Sequence, residues 1–539
     1  FLPAVLSCLF SILVIDSTGG FAKKAFEVLI YIFGQIKVAS PEGMQWIRWY
    51  IHHDFGGKTL KHSTLSDQLT YHLAERYEGE VSSDEIGLVW IFFESIVRSH
   101  TVHMHHEKLL TSGDRSSTFS LQFSDSLSKL MKNVAATVVS IEMEQLKTAK
   151  ALNSSTAAFL VDLLSIGNRG IVLDAISVYL DALCARNEHS TEAHWLHFLD
   201  ALQIILDYEH LVPLIAPHTI DFEPTLEGTR QAFREHFPFL AYLVDCVFDL
   251  LGNKVKEIRI RGFLLIFHLA CKLERDSKIA ENESKQQVAF CFLAFLMTAM
   301  GEWEAIQKWR EFNPDTWEQR FFYAPILFAI RYLRFESIQA WWQQALEVDV
   351  LTMIAVLEDC GHVFLFDPTE EAPSVPVYVK EVEQLSEKEK RRAKKKPAKR
   401  DAGVDEAAEK ATEIVLTDML AHASYPDFKG DSLSYHTYLS HLNTEVDQSV
   451  LRLMIGLVED FIGDGHKKGK SVLANRVMLF IHTWMNRPAS DPVVATLYAL
   501  IRFIVIEFRD IMFRSEKDYS SRLSSDVLRD CNSRSFVMR

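Results

Sequence analysis

Residues 167–208 read GNRGIVLDAISVYLDALCARNEHSTEAHWLHFLDALQIILDY, and the fold prediction rests on the pattern they contain. Two apolar runs, at 171–184 and 194–208, flank a polar break at 186–191. In the second run the large apolar residues recur at three- and four-residue intervals, which is the period of one helix face. These residues are Trp195, Leu199, Leu202 and Leu206. The Gly-Asn-Arg-Gly break at 167–170 ends the preceding helix, so the stretch predicts helices that fold back on one another across short turns.

The same arrangement of apolar helices and short breaks recurs along the chain. Residues 239–250 and 257–272 form another pair, and residues 497–511 repeat the helical period. Antiparallel helix pairs at roughly 40-residue intervals are typical of armadillo and HEAT repeats. The repeats have no fixed consensus, and no pattern of alternating strands is present. The predicted fold class is all-α: an irregular armadillo/HEAT-like α-solenoid of antiparallel helix pairs.

Composition agrees with a globular helical protein. Hydrophobic residues make up 48% of the 539 residues and charged residues 24%, which excludes wholesale disorder. Glycine (22) and proline (15) are scarce, which disfavours turn-rich β-sandwiches and barrels. The net charge of −15 makes the whole chain a poor partner for a nucleic-acid backbone, so no nucleic-acid partner is predicted.

One segment, at 367–403, has the composition of a linker. It begins rich in proline and becomes polybasic, with nine Lys or Arg and two Glu between 387 and 400. It separates a first helical block, 1–366, from a second, 404–539, which is expected to continue beyond this fragment. A solvated connector is the simplest interpretation. The alternatives are a contact with anionic lipid or with the chain's own acidic surface, made by Lys390, Arg391, Arg392, Lys394, Lys395, Lys396, Lys399 and Arg400.

Cysteine usage and the apolar segments bear on the compartment. The seven cysteines are widely spaced and form no CxxC, which favours free thiols in a reducing, cytoplasmic environment. The sequon at 153–155 would matter only in a secreted protein. The apolar stretches 1–15 and 288–300 are shorter than the roughly 18–20 residues that a bilayer span needs, and we predict that both are buried helices.

No stretch of the sequence predicts a catalytic centre, and no cofactor-binding or metal-binding residue is assigned. Residues 464–471 (DGHKKGKS) resemble the phosphate-binding motif G-x-x-x-x-G-K-S, but Asp464 occupies the position of its first glycine. A dense histidine group lacks the further ligands and the spacing of a known zinc site. Its members are His100, His103, His105 and His106. A solvated helix end is the preferred interpretation of this group.

Five stretches, in chain order, carry a family resemblance. Residues 89–99 (VWIFFESIVRS) resemble the motif W-F-F-E-x-x-V-K-S, and 207–214 (DYEHLVPL) resemble N-H-E-H-Y-I-P-L. Residues 233–237 (FREHF) are similar to F-x-x-x-H-F. Trp341-Trp342 with 348–360 are similar to a segment that ends in F-x-x-L-E-x-C, and 527–534 (VLRDCNSR) to V-L-K-C-C-N-S-K. Together they resemble the dedicator-of-cytokinesis (DOCK) family, in its zizimin-like branch and its central helical region.

This resemblance implies a scaffold within a guanine-nucleotide exchange factor for Rho/Rac-family small GTPases, which regulate the cytoskeleton. In that family a lipid-binding domain precedes the helical region and the catalytic exchange domain follows it. The chain itself is therefore expected to be no enzyme, and no catalytic residue is carried over. The expected partners are the GTPase, through the exchange domain, and protein adaptors on the solenoid surface. Peripheral contact with the plasma membrane and homodimerisation of the parent stay open.

A second function class also fits a helical solenoid. An unrelated α-solenoid adaptor of a transport or coat complex would have the same composition and helical pattern. The domains that flank the chain would distinguish this alternative from the exchange-factor scaffold.

Overall fold

The structure is a computed structural model, and every regular element in the residues that it describes is helical. The described residues are 2–16, 20–39, 41–55, 60–109, 118–141, 146–185, 190–208, 211, 228, 231, 234–235, 238–275, 282–313, 316–332, 347–364, 450, 479–484, 497–498 and 501. They contain no strand, which confirms the all-α prediction for this part of the chain.

The chain forms two compact units. The first comprises Phe1–Asp221 and Gln231–Leu269, and the second comprises Phe222–Arg230 and Ala270–Arg539. The predicted linker at 367–403 lies outside the described residues, so the predicted block boundary there stays a prediction. The first helices of unit 1 are α1 (Leu2–Ile15), α2 (Gly20–Ala39), α3 (Pro41–His53), α4 (His62–Arg76), α5 (Ser83–Ile86) and α6 (Val89–His106). Those that follow are α7 (Leu121–Ser140), α8 (Leu146–Ile166), α9 (Arg169–Leu183), α10 (Glu192–Leu206), α11 (Pro238–Asp249) and the larger part of α12 (Lys256–Arg275), which ends in unit 2.

The helices of unit 1 form two layers. In one layer α1 packs on α4, α4 on α7, α7 on α9 and α9 on α11. In the other layer α3 packs on α6, α6 on α8 and α8 on α10. Contacts between α1 and α2, α4 and α6, α7 and α8, and α9 and α10 join the layers. Such stacking of helix pairs is the arrangement of an α-solenoid, as the sequence predicts.

Local capping explains where several helices begin. Asn168 Oδ1 accepts hydrogen bonds from the backbone N–H groups of Gly170 (3.0 Å) and Ile171 (3.4 Å), which starts α9. Thr191 caps α10 by accepting from the backbone N–H of His194. These polar side chains satisfy helix N–H groups that have no partner within the helix. The predicted breaks at 167–170 and 186–191 are therefore confirmed, with α9 and α10 each beginning two residues earlier than predicted.

Unit 2 contains a smaller group of described helices. Its elements are α13 (Asn282–Gly301), α14 (Trp303–Phe312), α15 (Thr316–Tyr332) and α16 (Glu347–Val363). Helix α13 packs on α14, α15 and α16, and α15 also packs on α16. The described side chains between 295 and 300 are all buried, in agreement with the predicted buried helix at 288–300.

The prediction for residues 1–15 is only partly right. This stretch is the helix α1, in which Leu6, Phe10 and Leu13 are buried. Ala4, Cys8 and Ile15 are exposed and the other residues of the helix are half-buried, so the helix is less buried than predicted. No described helix has both the length and the apolar composition that crossing a membrane requires.

Candidate functional site

The aromatic stretch at the start of α6 joins neighbouring helices of unit 1. Phe92 contacts Phe26 and Phe33 of α2, with ring centroids 5.0 and 5.7 Å apart. Phe93 stacks on Phe159 of α8, with centroids 4.3 Å apart. The residues that carry the family resemblance at this point therefore build the interior of the helix stack.

The outer side of α6 holds α3 through polar contacts. The Arg48 guanidinium lies 4.6 Å from the centroid of the Trp90 ring. Arg48 Nη2 is 3.0 Å from Glu94 Oε1, and His52 Nε2 is 3.6 Å from Glu94 Oε2. Because Arg48 is more than half exposed, the ion pair contributes about 1 kcal/mol or less and serves mainly to orient the helices.

The histidine group that the sequence singles out lies at the end of α6, and its members differ in burial. His100 is buried with its ring centroid 4.4 Å from that of Phe119, whereas His103 is half-buried and His105 and His106 are exposed. Among the described residues, no three His, Cys, Asp or Glu side chains converge as a metal site would require.

Two buried histidines are held neutral by their surroundings. Burial lowers the pKa of His100 to about 4, and the charge of His103 lowers it further. Burial also lowers the pKa of His62 to about 4, with His106 as the next contribution. His62 Nδ1 lies 3.2 Å from Ser99 Oγ, which in turn donates to the backbone oxygen of His62 at 2.8 Å. Both imidazoles therefore act in packing at neutral pH.

A neutral hydrogen-bond network joins α8, α9 and α10. Asn153, which has no exposed surface, donates from Nδ2 to the backbone oxygen of His197 at 2.8 Å. Asn153 Oδ1 accepts from the Tyr179 hydroxyl at 2.7 Å. Burial raises the pKa of Tyr179 well above its usual range, so the hydroxyl keeps its proton. The sequon at 153–155 is thus inaccessible to glycosylation in the folded chain.

Unit 2 contains a charged counterpart. Arg310 of α14 forms an ion pair with Asp359 Oδ2 of α16, and the Tyr323 hydroxyl of α15 donates to the same carboxylate at 3.0 Å. Trp309 Nε1 donates to Glu318 Oε1 at 3.0 Å, and Glu318 is fully buried. Burial raises the pKa of Tyr323 well above its ordinary value. These side chains hold α14, α15 and α16 together.

Several sequence-predicted features lie outside the described residues. They are the basic residues Lys390, Arg391, Arg392, Lys394, Lys395, Lys396, Lys399 and Arg400, the phosphate-loop-like stretch 464–471, Trp341-Trp342 and the motif at 527–534. Among the cysteine thiols, those of Cys184, Cys246 and Cys360 are buried and that of Cys8 is exposed.

Comparison with known proteins places the helix stack of unit 1 in a family. A family model described as "DOCK6-11, TPR domain" matches residues 1–205, which contain helices α1 to α9 and most of α10. Proteins named as dedicators of cytokinesis align with the chain as well. The chain belongs to the dedicator-of-cytokinesis family. TPR repeats, like armadillo repeats, are stacked helix pairs, so the family description agrees with the observed two layers.

The chain spans less than a fifth of the length of the curated relatives that it matches. The guanine nucleotide exchange factor SPIKE 1 of Arabidopsis thaliana is 24% identical over 372 residues, which cover 65% of this chain and 19% of that protein. Dedicator of cytokinesis protein 7 of Mus musculus is 33% identical over 141 residues, covering 26% of this chain and 7% of the relative. Dedicator of cytokinesis protein 6 of Mus musculus is 30% identical over 244 residues, which cover 39% of this chain and 12% of that protein. No solved structure matches the chain. These DOCK relatives include proteins 6, 7, 8, 9 and 11, so the zizimin-like branch stays a prediction.

Sequence reasoning missed two features of this DOCK-family chain. The Arg310–Asp359 pair joins residues 49 positions apart, and no local pattern marks it. The exposed apolar face of α2 was also missed, although the seven-residue spacing of Phe21 and Val28 and of Tyr31 and Val38 is visible in the sequence.

Proposed function

We propose that this chain is the helical scaffold of a DOCK-type guanine-nucleotide exchange factor for Rho/Rac-family small GTPases. The observation that carries the proposal is the two-layered helix stack over the residues that match the family model, 1–205. A stack in which each helix pair contacts mainly its neighbours presents a long surface and fixes the distance between its ends. It suits a segment that spaces a lipid-binding domain from an exchange domain and presents a surface to protein adaptors.

The chain itself is proposed to be non-catalytic. Several of the described titratable groups with strongly shifted pKa values, among them His100, Tyr179 and Tyr323, are buried and held in their neutral forms. Such groups stabilise packing and are poorly placed to exchange protons with a bound nucleotide. Family membership also favours the exchange-factor scaffold over the unrelated transport or coat adaptor.

Nucleotide release tests this proposal. Rac-type and Rho-type GTPases loaded with fluorescent GDP should release it at the uncatalysed rate when the 539-residue chain is added. EDTA is the positive control, because removal of Mg²⁺ weakens its bridge to the phosphates. Release clearly faster than the uncatalysed rate would show that the chain has exchange activity of its own.

The basic run at 390–400 supports a second, weaker proposal about localisation. Clustered Lys and Arg attract anionic membranes at roughly 1 kcal/mol per residue near the surface, so a cytoplasmic protein could be recruited to the plasma membrane. Vesicles that contain anionic phosphoinositides should co-sediment with the chain at low salt. The triple variant Lys394→Glu/Lys395→Glu/Lys396→Glu should lose this binding without a lower melting temperature. Equal binding of the unaltered chain and the triple variant would show that the basic run serves only as a spacer.

A further inference from the structure

Basic side chains gather where α4 begins beside the last turns of α6. They are His62 at the start of α4 and Arg98, His103 and His106 on α6. His62 is 4% exposed, and its ring centroid lies 6.3 Å from that of His106. After burial, the charges of the other three residues are the largest causes of the lowered pKa of His62, so all three lie within electrostatic range of it. We call these four residues the basic cluster.

The positive charge of Arg98 is not neutralised by the described part of the chain. Arg98 is half-buried, and its Nε atom is buried without a hydrogen-bond partner. No described carboxylate forms an ion pair with its guanidinium. Glu94, one turn earlier on α6, is instead engaged by Arg48 and His52 of α3. A half-buried guanidinium without a partner is destabilising, and a bound anion would remove that cost.

The beginning of α4 also lacks a negative partner. Within the described residues, no side chain caps this helix, and its first turn contains no acidic residue. The backbone N–H groups at a helix start carry a partial positive charge and hold anions. Lys61, which precedes the helix, is exposed and adds a further positive charge. The basic cluster and the start of α4 therefore attract the same kind of ligand.

The hydrogen bonds of His62 determine which of its ring nitrogens is free. The Ser99 hydroxyl donates its single proton to the backbone oxygen of His62 at 2.8 Å. Ser99 Oγ must therefore accept the second hydrogen bond, at 3.2 Å, from Nδ1 of the ring. In the neutral ring Nε2 then carries a lone pair and no proton, and it has no hydrogen-bond partner among the described residues. A fitting ligand offers anionic oxygens to Arg98 and a hydroxyl to His62.

We propose that the basic cluster binds a phosphate group that keeps one P–OH. The P–OH donates to His62 Nε2, and the charged oxygens accept from the Arg98 guanidinium and from backbone N–H groups at the start of α4. Free phosphate and a phosphate monoester near its second pKa of about 6 share this chemistry, whereas sulfate has the shape but no hydroxyl. His106 is exposed, so the ligand reaches the cluster from solvent. The site goes beyond the proposed scaffold function, which needs no small ligand.

Isothermal titration calorimetry of the 539-residue chain at about pH 6.5 and constant ionic strength tests the ligand. Sodium phosphate should bind at a single site, and sodium sulfate should bind about tenfold more weakly or not at all, because it leaves His62 Nε2 without a donor. O-phosphoserine, titrated in the same way, distinguishes a monoester from the free ion. Saturable binding of either phosphate compound supports the proposal. A chain that binds neither, or that binds sulfate equally well, overturns it.

Variants of Arg98 separate ligand binding from folding. Arg98→Gln removes the charge that the phosphate needs and should weaken phosphate binding by about tenfold or more. Because Arg98 has no ion pair to lose, the melting temperature without phosphate should stay the same or rise. Arg98→Lys keeps the charge without the planar guanidinium and should retain part of the affinity.

Lys132→Gln is the matched control for the loss of one positive charge. Lys132 is exposed on α7, and the variant should bind phosphate like the unaltered chain. Phosphate binding by Arg98→Gln that is as tight as that of the unaltered chain overturns the proposal. A loss of binding in Lys132→Gln as large as that in Arg98→Gln also overturns it, because binding would then depend on overall charge and not on the basic cluster.

Discussion

The network around Asn153 in unit 1 and the network around Asp359 in unit 2 bury polar groups in different ways. In unit 1 the network around Asn153 is neutral: the Tyr179 hydroxyl and the backbone of His197 share the amide without any formal charge. In unit 2 the Asp359 carboxylate is shared between the Arg310 guanidinium and the Tyr323 hydroxyl. When a buried neutral group loses its hydrogen-bond partner, the free energy of unfolding falls by about 1–3 kcal/mol. When a buried charge loses its partner, it falls by about 3–5 kcal/mol. The packing of α14, α15 and α16 around Asp359 is therefore expected to depend more on one side chain than the packing of α8, α9 and α10 around Asn153.

Removal of the shared carboxylate in unit 2 should have the largest effect. Asp359→Ala leaves the Arg310 charge without its ion pair and the Tyr323 hydroxyl without its acceptor. Arg310 is 27% exposed, so water compensates in part, and we expect a loss of about 3 kcal/mol in the free energy of unfolding. Urea denaturation followed by circular dichroism measures this loss.

Two controls decide whether the charge is the cause. Glu311→Ala, at an exposed site on the same helix as Arg310, should change stability by less than about 0.5 kcal/mol. The triple variant Arg310→Met/Asp359→Leu/Tyr323→Phe replaces the network with apolar groups and should be more stable than Asp359→Ala. If the triple variant is as unstable as Asp359→Ala, then the change in side-chain volume, and not the unpaired charge, causes the loss of stability.

Acid should destabilise unit 1 through its buried histidines. The pKa of His100 is lowered to about 4 in the folded chain and lies near 6.5 when unfolded, so the unfolded state binds more protons between these values. The stabilisation is complete above pH 6.5 and falls as the pH drops toward 4, by up to roughly 3 kcal/mol. His62 acts in the same direction.

His100→Leu isolates this contribution. The variant keeps an apolar side chain against Phe119 and cannot be protonated, so stability measured from pH 7 to pH 4 should fall less steeply than in the unaltered chain. His105→Leu, at an exposed position of the same helix, should leave the slope unchanged. Equal slopes for His100→Leu and the unaltered chain would contradict the assignment.

Close packing in unit 1 should be the next most sensitive feature. A Cβ atom at Gly167 would overlap the ring of Phe119, which also stacks on Phe123 with centroids 4.5 Å apart. Gly167→Ala should therefore cost about 2 kcal/mol through displacement of the ring. Gly170→Ala is the matched control, because the nearest atom to its Cβ would be Asn168 Oδ1 at 3.5 Å, an ordinary contact. The control should be neutral or slightly stabilising, and equal losses in the two variants would contradict the account.

The neutral network should give the smallest effect. Tyr179→Phe removes one hydroxyl and leaves Asn153 Oδ1 buried without its donor, which should cost about 1–2 kcal/mol in thermal or urea unfolding. Tyr71→Phe, at an exposed position, should cost almost nothing. A loss for Tyr179→Phe as large as that for Asp359→Ala would remove the proposed difference between the two networks.

Helix boundaries were predictable where the signal is local. Asn168 and Thr191 cap helices through hydrogen bonds to residues at most three positions away. The breaks before α9 and α10 are therefore predictable from the adjacent residues. The two-layered stack also follows from short breaks between apolar helices, since neighbours in sequence become neighbours in space.

Features that depend on distant residues were not predictable in this way. The partial burial of α1 depends on which helices pack against it, whereas its apolar sequence predicted a buried helix. The clustering of histidines in sequence did not reveal that His100 is buried while His105 and His106 are exposed, because burial depends on which segments pack against α6. The pairing of Arg310 with Asp359 requires the packing of α14 on α16, which no local pattern encodes.

The central claim is that the helices of unit 1 stack in a fixed order. The most direct test is zero-length cross-linking, in which a carbodiimide couples lysines to neighbouring carboxylates. Lys129 Nζ of α7 lies 2.5 Å from Glu75 Oε1 at the end of α4 and 2.7 Å from Glu78 Oε1 just beyond it. Lys37 Nζ of α2 lies 3.5 Å from Asp84 Oδ1 of α5. Mass spectrometry of the coupled chain should find Lys129 joined to Glu75 or Glu78, and Lys37 joined to Asp84. If Lys129 is instead joined mainly to carboxylates of α2 or α11, which are not its neighbours in the stack, the helix order and the scaffold built on it are wrong.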